Sequence, residues 1–205
     1  MKKVAFITGG TGGLGLTIVK DLLDKGYEVV SVSREEEKIQ KAEAWIGSKK
    51  AVFLQGDITQ KETLEKVYHY LLDHYGYVNV LINNVGAMAG GGMEEITAEQ
   101  WEGIFEINVH VPFRVIKKLM RLLKRSENGC IINISSIASK ITGGCMAYSA
   151  SKAAMDMMTR SLAKELAEYE TVFYTGHCTG DEAFALMKPV MGEKLVRLRS
   201  GVQVM

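Results

Sequence analysis

Apolar positions along this chain come alternately as short continuous runs and as helical stripes. Residues 4–8 form an apolar run that ends in a cluster of glycines. Leu14, Ile18 and Leu22 then recur one helical turn apart until Gly26 stops the pattern, which predicts a helix over 14–25. The alternation continues with a strand at 29–33, a charged helix at 35–46, a strand at 51–54, a helix at 61–75 and a strand at 78–82. Thr97 with Gln100 has the spacing of a capping box before a helix at 101–109. Pro112 is expected to interrupt or kink that path before the helical pattern resumes through residue 124. A fifth strand at 130–134, a long helix at 148–169 and a sixth strand at 172–174 follow, then a short helix at 181–191 and an apolar stretch at 195–204. Buried-looking strands alternating with helices predict an α/β fold, a parallel sheet covered on both faces. No internal repeat or long linker divides the 205 residues, so the expectation is a single domain over 1–205.

Charge narrows the partners. The formal net charge is +1, which gives no concentrated basic face for nucleic acid or for an anionic membrane. The densest basic stretch, Lys117, Lys118, Arg121, Lys124 and Arg125, has helical spacing and reads as a solvated helix face. The apolar run after Met1-Lys2-Lys3 is too short for a signal-peptide core or a membrane span. Cys130, Cys145 and Cys178 have no CxxC spacing and read as reduced, individually placed thiols, so a cytoplasmic protein is expected.

The most informative stretch is Thr8-Gly9-Gly10-Thr11-Gly12-Gly13-Leu14-Gly15, between the first strand and the first helix. Glycines let a backbone approach a pyrophosphate closely, and the helix N-terminus behind them offers unpaired N–H groups and a positive dipole end. Its position makes the stretch a dinucleotide site on a Rossmann-type, doubly wound sheet rather than a merely flexible turn. The second strand ends in Ser33-Arg34, where many NAD-binding folds carry an acid that holds the ribose 2′-hydroxyl. A carboxylate repels a 2′-phosphate, whereas a hydroxyl and a guanidinium bind one, so NADP(H) is favoured over NAD(H). The bland alternative is that Arg34 pairs with Glu36 or Glu37. Asp57, followed by Ile58 after the third strand, either accepts from the adenine amino group or caps its own turn.

These residues, together with Asn83-Asn84-Val85-Gly86, Asn108, Ile134-Ser135-Ser136 and Tyr148-x-x-x-Lys152, resemble the short-chain dehydrogenase/reductase family over about residues 1–170. Val85, where alanine is usual, is a mild departure. The resemblance implies an oxidoreductase that interconverts a carbonyl and an alcohol, with 3-oxoacyl thioesters or small ketones as model substrates. It assigns cofactor contacts to Gly9, Thr11, Gly13, Leu14, Gly15, Ser33, Arg34, Asp57, Ile58, Asn84, Gly86, Tyr148 and Lys152. It assigns catalysis to Asn108, Ser136, Tyr148 and Lys152, and no metal is expected. Homodimers or homotetramers built through helices matching 101–123 and 148–169 are also implied.

Elementary chemistry agrees with those roles. Tyr148 and Lys152 are one helical turn apart and share a face. A tyrosine's ordinary pKa of about 10 is too high for ready proton exchange near neutrality, and a neighbouring ammonium favours the phenolate. Tyrosine then serves as proton donor in reduction and acceptor in oxidation. Ser136 would hydrogen-bond the substrate oxygen, and Asn108 would hold a water linking Lys152 to solvent. Ser136 stands twelve positions before Tyr148, one fewer than the resemblance implies. Ser135 would restore the count, but Ser136 matches the second serine of the family's pair and is preferred. Met88 and Met93, around Gly90-Gly91-Gly92, line either a substrate mouth or a solvent loop.

Beyond residue 170 the pattern changes. Relatives follow the sixth strand with a Pro-Gly turn and a threonine, whereas this chain has Gly176-His177-Cys178-Thr179-Gly180, and its only later proline is Pro189. Residues 171–205 loosely resemble the C-terminal segment of metallo-β-lactamase-fold proteins. His69 and His74 approach that fold's histidine motif, but Leu71 stands where a ligand is needed, so both read as surface residues. The altered tail leaves a competing function open: a dinucleotide-binding sensor or structural subunit without efficient turnover.

Overall fold

The computed structural model describes residues 2–89, 91–127, 129–141, 145–166, 172–175 and 195–197. The chain divides into two compact units, Met1–Asn84 with Val115–Cys130, and Val85–Arg114 with Ile131–Met205.

The first unit runs β1 (Lys3–Thr8), α1 (Gly13–Asp24), β2 (Tyr27–Ser33), α2 (Glu36–Ile46), β3 (Ala51–Gln55), α3 (Lys61–His74) and β4 (Val80–Asn83). Its strands are parallel in the order β3-β2-β1-β4. β1 pairs with β2 from Lys3↔Tyr27 to Thr8↔Val32, and with β4 from Ala5↔Val80 to Ile7↔Ile82. Every residue of β1 after Lys3 is buried, and so is all of β4. A strand covered on both faces shows a continuous apolar run instead of alternation, as these sequences do. The chain winds outward from β1 to β3 and returns to the other side of β1 as β4. That reversal opens a crevice at the carboxyl ends of the strands, where Rossmann-type sheets bind ligands.

The stripe expected on α1 is rotated by one position. Leu14 is 57% exposed, and the buried residues are Gly15 and Val19. The backbone at Gly15 packs against the preceding turn, and this close approach sets the helix's orientation. On α2 the buried residues are Ile39 and Ala42, and on α3 they are Leu64, Val67 and Leu71.

The second unit contains α4 (Ala98–Phe105), a π-helical turn (Glu106–His110) and the start of α5 (Val111–Lys124), whose residues from Val115 on belong to the first unit. Then come β5 (Cys130–Asn133), whose first residue belongs to the first unit, a 3-10 turn (Ile137–Ser139), α6 (Met146–Glu165), β6 (Val172–Thr175) and β7 (Leu195–Arg197). β5, β6 and β7 are neighbours in that order, and β6 and β7 are parallel from Phe173↔Leu195 to Thr175↔Arg197. The capping box is present, with Gln100 N donating to Thr97 Oγ1 at 3.2 Å and Thr97 N donating to Gln100 Oε1 at 3.0 Å. The helix does not break at Pro112. A proline lacks the N–H and its ring crowds the carbonyl four residues back; a widened turn relieves both. Val111 N accordingly bonds to Glu106 O, five residues back.

The fold class is the expected Rossmann-type parallel sheet with flanking helices. Among the described residues no helix is long and apolar enough to cross a membrane. The helix expected at 181–191, the end of the helix at 167–169 and residues 198–204 lie outside the described residues.

Candidate functional site

In the first unit the chain leaves β1 at Thr8 and turns at Gly9, whose φ of +71° suits glycine alone among common residues. Gly9 N donates to Val32 O at 3.1 Å and Gly10 N to Ser31 Oγ at 2.9 Å, so β2 holds the turn from one side. Asn84, just past β4, holds it from the other. Its N donates to Thr8 Oγ1 at 3.0 Å, and its Nδ2 donates to Thr8 O at 3.0 Å and Gly9 O at 3.1 Å. A Cβ at Gly15 would stand 2.1 Å from Gly9 O, closer than any side chain can approach. α1 starts at Gly13 with no side-chain cap and no acidic residue in its first turn. Its leading N–H groups and positive dipole end are therefore left for an anion. Exposed Leu14 stands beside them.

At the end of β2, Ser33 Oγ and Thr11 Oγ1 are 2.8 Å apart, which joins two of the expected contact residues. Arg34 is 70% exposed, and its Nη1 lies 3.9 Å from Asp57 Oδ2. It does not pair with Glu36 or Glu37; Glu37 instead holds Lys41 at 2.6 Å. A pair this long and this exposed binds weakly, so the guanidinium is easily redirected to a phosphate. Of the two readings of Asp57, the structure shows the turn cap: Oδ1 accepts from Thr59 N and from Thr59 Oγ1, each at 2.9 Å. The Ile58 side chain is buried, so a cofactor contact there falls to its backbone.

The second unit holds Asn108, Ser136, Tyr148 and Lys152, the residues to which the resemblance assigns catalysis. Lys152, on α6, is 3% exposed. Its Nζ donates to Ile134 O at 2.7 Å and lies 5.7 Å from the centroid of the Tyr148 ring. Burial pushes the Lys152 ammonium down to about 8, and the Asp156 carboxylate opposes that shift. Gly86 faces the same place: a Cβ there would lie 3.4 Å from Asn108 Oδ1 and 3.6 Å from Lys152 Nζ.

Asn108 is fully buried within the π-helical turn. Its Oδ1 accepts from Ala87 N at 2.8 Å, and its Nδ2 donates to Ala87 O at 2.8 Å and Ser151 Oγ at 2.9 Å. Ser151 Oγ in turn donates to Tyr148 O at 2.8 Å. The Asn108 side chain is thus first a clamp between the segment after β4 and the start of α6. Both of its Nδ2 hydrogens are committed, so a relay water receives no donor from this side chain.

The structure separates the two serines. Ser135 Oγ donates to Asp156 Oδ1 at 2.5 Å. Ser136 Oγ accepts from Ala138 N at 3.2 Å, capping the 3-10 turn and keeping its own proton for another acceptor. Ser31, Ser151 and Asp156 were not anticipated. Asp156 had a legible signal, one helical turn beyond Lys152 on the same face. Ser31 and Ser151 had none, because their work is done across the fold.

A bridge between Gly91 and Cys145 ties the segment after β4 to the start of α6. Met88, Met93 and Met146, from these two segments, and Ile137 and Ile141, in and just after the 3-10 turn, are exposed. Cys130 is buried, and burial pushes its thiol well up, so it is inert. His69 Nε2 lies 3.9 Å from Glu65 on the surface of α3, and the His74 ring stacks on Tyr70 at 4.0 Å. Among the described residues no three His, Cys, Asp or Glu side chains gather as a metal site. Gly176, His177, Cys178, Thr179, Gly180 and Pro189 lie outside the described residues.

Comparison with known proteins gives these geometries a context. A family model described as short chain dehydrogenase matches residues 3–187. An uncharacterized oxidoreductase of Staphylococcus epidermidis is 29% identical over 167 residues, which are 81% of this chain and 72% of the relative. The 3-oxoacyl-[acyl-carrier-protein] reductase of Vibrio cholerae is 30% identical over 167 residues, 80% of this chain and 68% of its own length. The crystal structure of a short-chain dehydrogenase from Streptomyces avermitilis superimposes with a TM-score of 0.78 at 29% identity, over 85% of this chain and 65% of that one. The chain thus spans 65% to 72% of the lengths of these three proteins. The family match runs past residue 170 into the tail, whose expected likeness to metallo-β-lactamase-fold proteins is not supported.

Proposed function

This chain belongs to the short chain dehydrogenase family, and from that premise we propose that it is an NADP(H)-dependent oxidoreductase interconverting a carbonyl and an alcohol. The observation that carries the reading is a buried ammonium, Lys152, one helical turn from Tyr148, with Ser136 presenting an uncommitted hydroxyl proton nearby in sequence and in the same unit. Bound NADPH would supply the hydride to the carbonyl carbon. Tyr148 would give its phenolic proton to the carbonyl oxygen, and the charge of Lys152 would stabilise the phenolate left behind. Ser136 would donate to the same oxygen and fix its distance. Lys152, at about 8, exchanges protons near neutrality and is suited to restoring the proton of Tyr148.

The cofactor choice is supported by the residues at the end of β2. Ser33 and Arg34 offer a hydroxyl and a loosely held guanidinium to a 2′-phosphate. The uncapped start of α1, with Gly9, Gly13 and Gly15 before and within it, suits a pyrophosphate. For the substrate, the exposed Met88, Met93, Ile137, Ile141 and Met146 favour an extended apolar body behind the carbonyl. A 3-oxoacyl thioester, which the name of the Vibrio cholerae relative also suggests, fits better than a polyol. We further place the protein in the cytoplasm as a homodimer joined through α4, α5 and α6, where the stacked Trp101 and Phe105 and the exposed Met157 supply apolar surface. The test is NADPH oxidation against a panel of 3-oxoacyl thioesters and ketones, with Tyr148→Phe in parallel. Turnover that Tyr148→Phe abolishes while still binding NADPH supports the reading. NADPH binding with no turnover on any carbonyl would favour the sensor reading.

A further inference from the structure

Asp156 lies one turn beyond Lys152 on α6, and its carboxylate is 14% exposed. Both oxygens are engaged. Oδ1 accepts from Ser135 Oγ at 2.5 Å, Oδ2 accepts from Ser139 Oγ at 2.7 Å, and Lys140 Nζ stands 3.2 Å from Oδ2. A largely buried carboxylate is tolerated only when donors replace its water. Here all three donors come from one short segment, residues 135–140, that bends through the 3-10 turn Ile137–Ser139. Inside that bracket lies Ser136, whose carbonyl accepts from Ser139 N at 3.1 Å and whose Oγ accepts from Ala138 N at 3.2 Å.

We propose that Asp156 is a positioning residue for carbonyl chemistry: by gripping both sides of Ser136 from the helix that carries Tyr148 and Lys152, it fixes the serine hydroxyl relative to the tyrosine. The proposal rests on the reading of Ser136, Tyr148 and Lys152 given above. Two groups that must meet one substrate oxygen are carried by different elements, a loop after β5 and the start of α6. Asp156 joins those elements by two hydrogen bonds and an ion pair. It also explains the choice between neighbouring serines. Ser135 spends its hydroxyl proton on the carboxylate, and Ser136 does not. A displacement on the order of 1 Å at such a site costs about a hundredfold in rate.

The experiment uses the full chain with NADPH and compares Asp156→Ala and Asp156→Asn with wild type. Hydrogen–deuterium exchange of the 134–141 segment, NADPH affinity, and kcat and KM on a Tyr148-dependent carbonyl substrate are measured. Asp156→Ala is expected to speed exchange in that segment and lower kcat, each by about tenfold or more, the factor one charge-assisted hydrogen bond supplies. KM and NADPH affinity stay within about threefold, because a positioning loss acts on the transition state. Asp156→Asn keeps one acceptor oxygen and falls between. If Asp156→Ala does not fold, Ser139→Ala removes one grip and is expected to shift exchange and kcat in the same direction. Unchanged exchange at 134–141 or wild-type kcat, with Tyr148→Phe inactive, overturns the role of Asp156 and leaves the site reading standing. A Tyr148→Phe variant as active as wild type overturns the site reading, and the proposal with it.

Discussion

Replacing Lys152 by methionine should make the protein more stable at neutral pH while abolishing its chemistry. The two side chains have similar length and shape, so packing changes little. The ammonium is 3% exposed and its proton affinity falls from the ordinary 10.5 to about 8 on folding. At about 1.36 kcal/mol per pH unit, that fall means the charged lysine costs the folded state roughly 3 kcal/mol below pH 8. Methionine removes this cost but leaves Ile134 O without the donor now 2.7 Å away, a loss of about 1 kcal/mol. The net gain for Lys152→Met is therefore about 2 kcal/mol. The sign is set by the lowered pKa: between about pH 8 and 10.5 the unfolded chain binds more protons than the folded one. Wild-type stability rises through that window as native Lys152 sheds its proton. The advantage of Lys152→Met should shrink over the same interval. Urea unfolding of both proteins at pH 7, 8.5 and 10 measures this directly. A variant less stable than wild type at pH 7, or an advantage that does not change with pH, would refute the reasoning.

Three further outcomes follow from single contacts. Gly15→Ala puts a methyl 2.1 Å from Gly9 O, so the turn must open; NADPH affinity is expected to fall by about a hundredfold or more, read by nicotinamide fluorescence. Arg34→Glu should narrow or reverse the proposed preference for NADPH over NADH by at least about tenfold, since a carboxylate replaces the guanidinium at the end of β2. Asn108→Ala removes three hydrogen bonds of a buried side chain, to Ala87 N, Ala87 O and Ser151 Oγ. It should destabilise the protein by about 2–4 kcal/mol in denaturant unfolding, beyond any effect on turnover.

Fold class was legible because its signals are local. Buried parallel strands announce themselves as apolar runs, as β1 and β4 do. A helix capped at Thr97 carries its box within four residues, and Tyr148 and Lys152 share a face by spacing alone. The failures are of three kinds. On α1 the apolar stripe pointed to Leu14, but the packing surface was set by a glycine, whose value lies in the atoms it lacks. At Pro112 the expected kink became a π-helical turn, and only the structure shows that this turn buries Asn108. The third kind concerns partners distant in sequence. Neither the 75-residue reach from Asn84 to Gly9 nor the 43-residue reach from Asn108 to Ser151 follows from periodicity. The different bonding of Ser135 and Ser136 was hidden for the same reason, since Ser135 is held by Asp156 about twenty residues away.

Transfer of deuterium from NADPD to a 3-oxoacyl thioester, followed by mass spectrometry of the product, tests the central claim most directly. The account predicts one deuterium at the carbinol carbon with wild type and none with Tyr148→Phe, at equal cofactor binding. Tight NADPH binding by wild type with no deuterium in the product, from thioesters or from simple ketones, would contradict it.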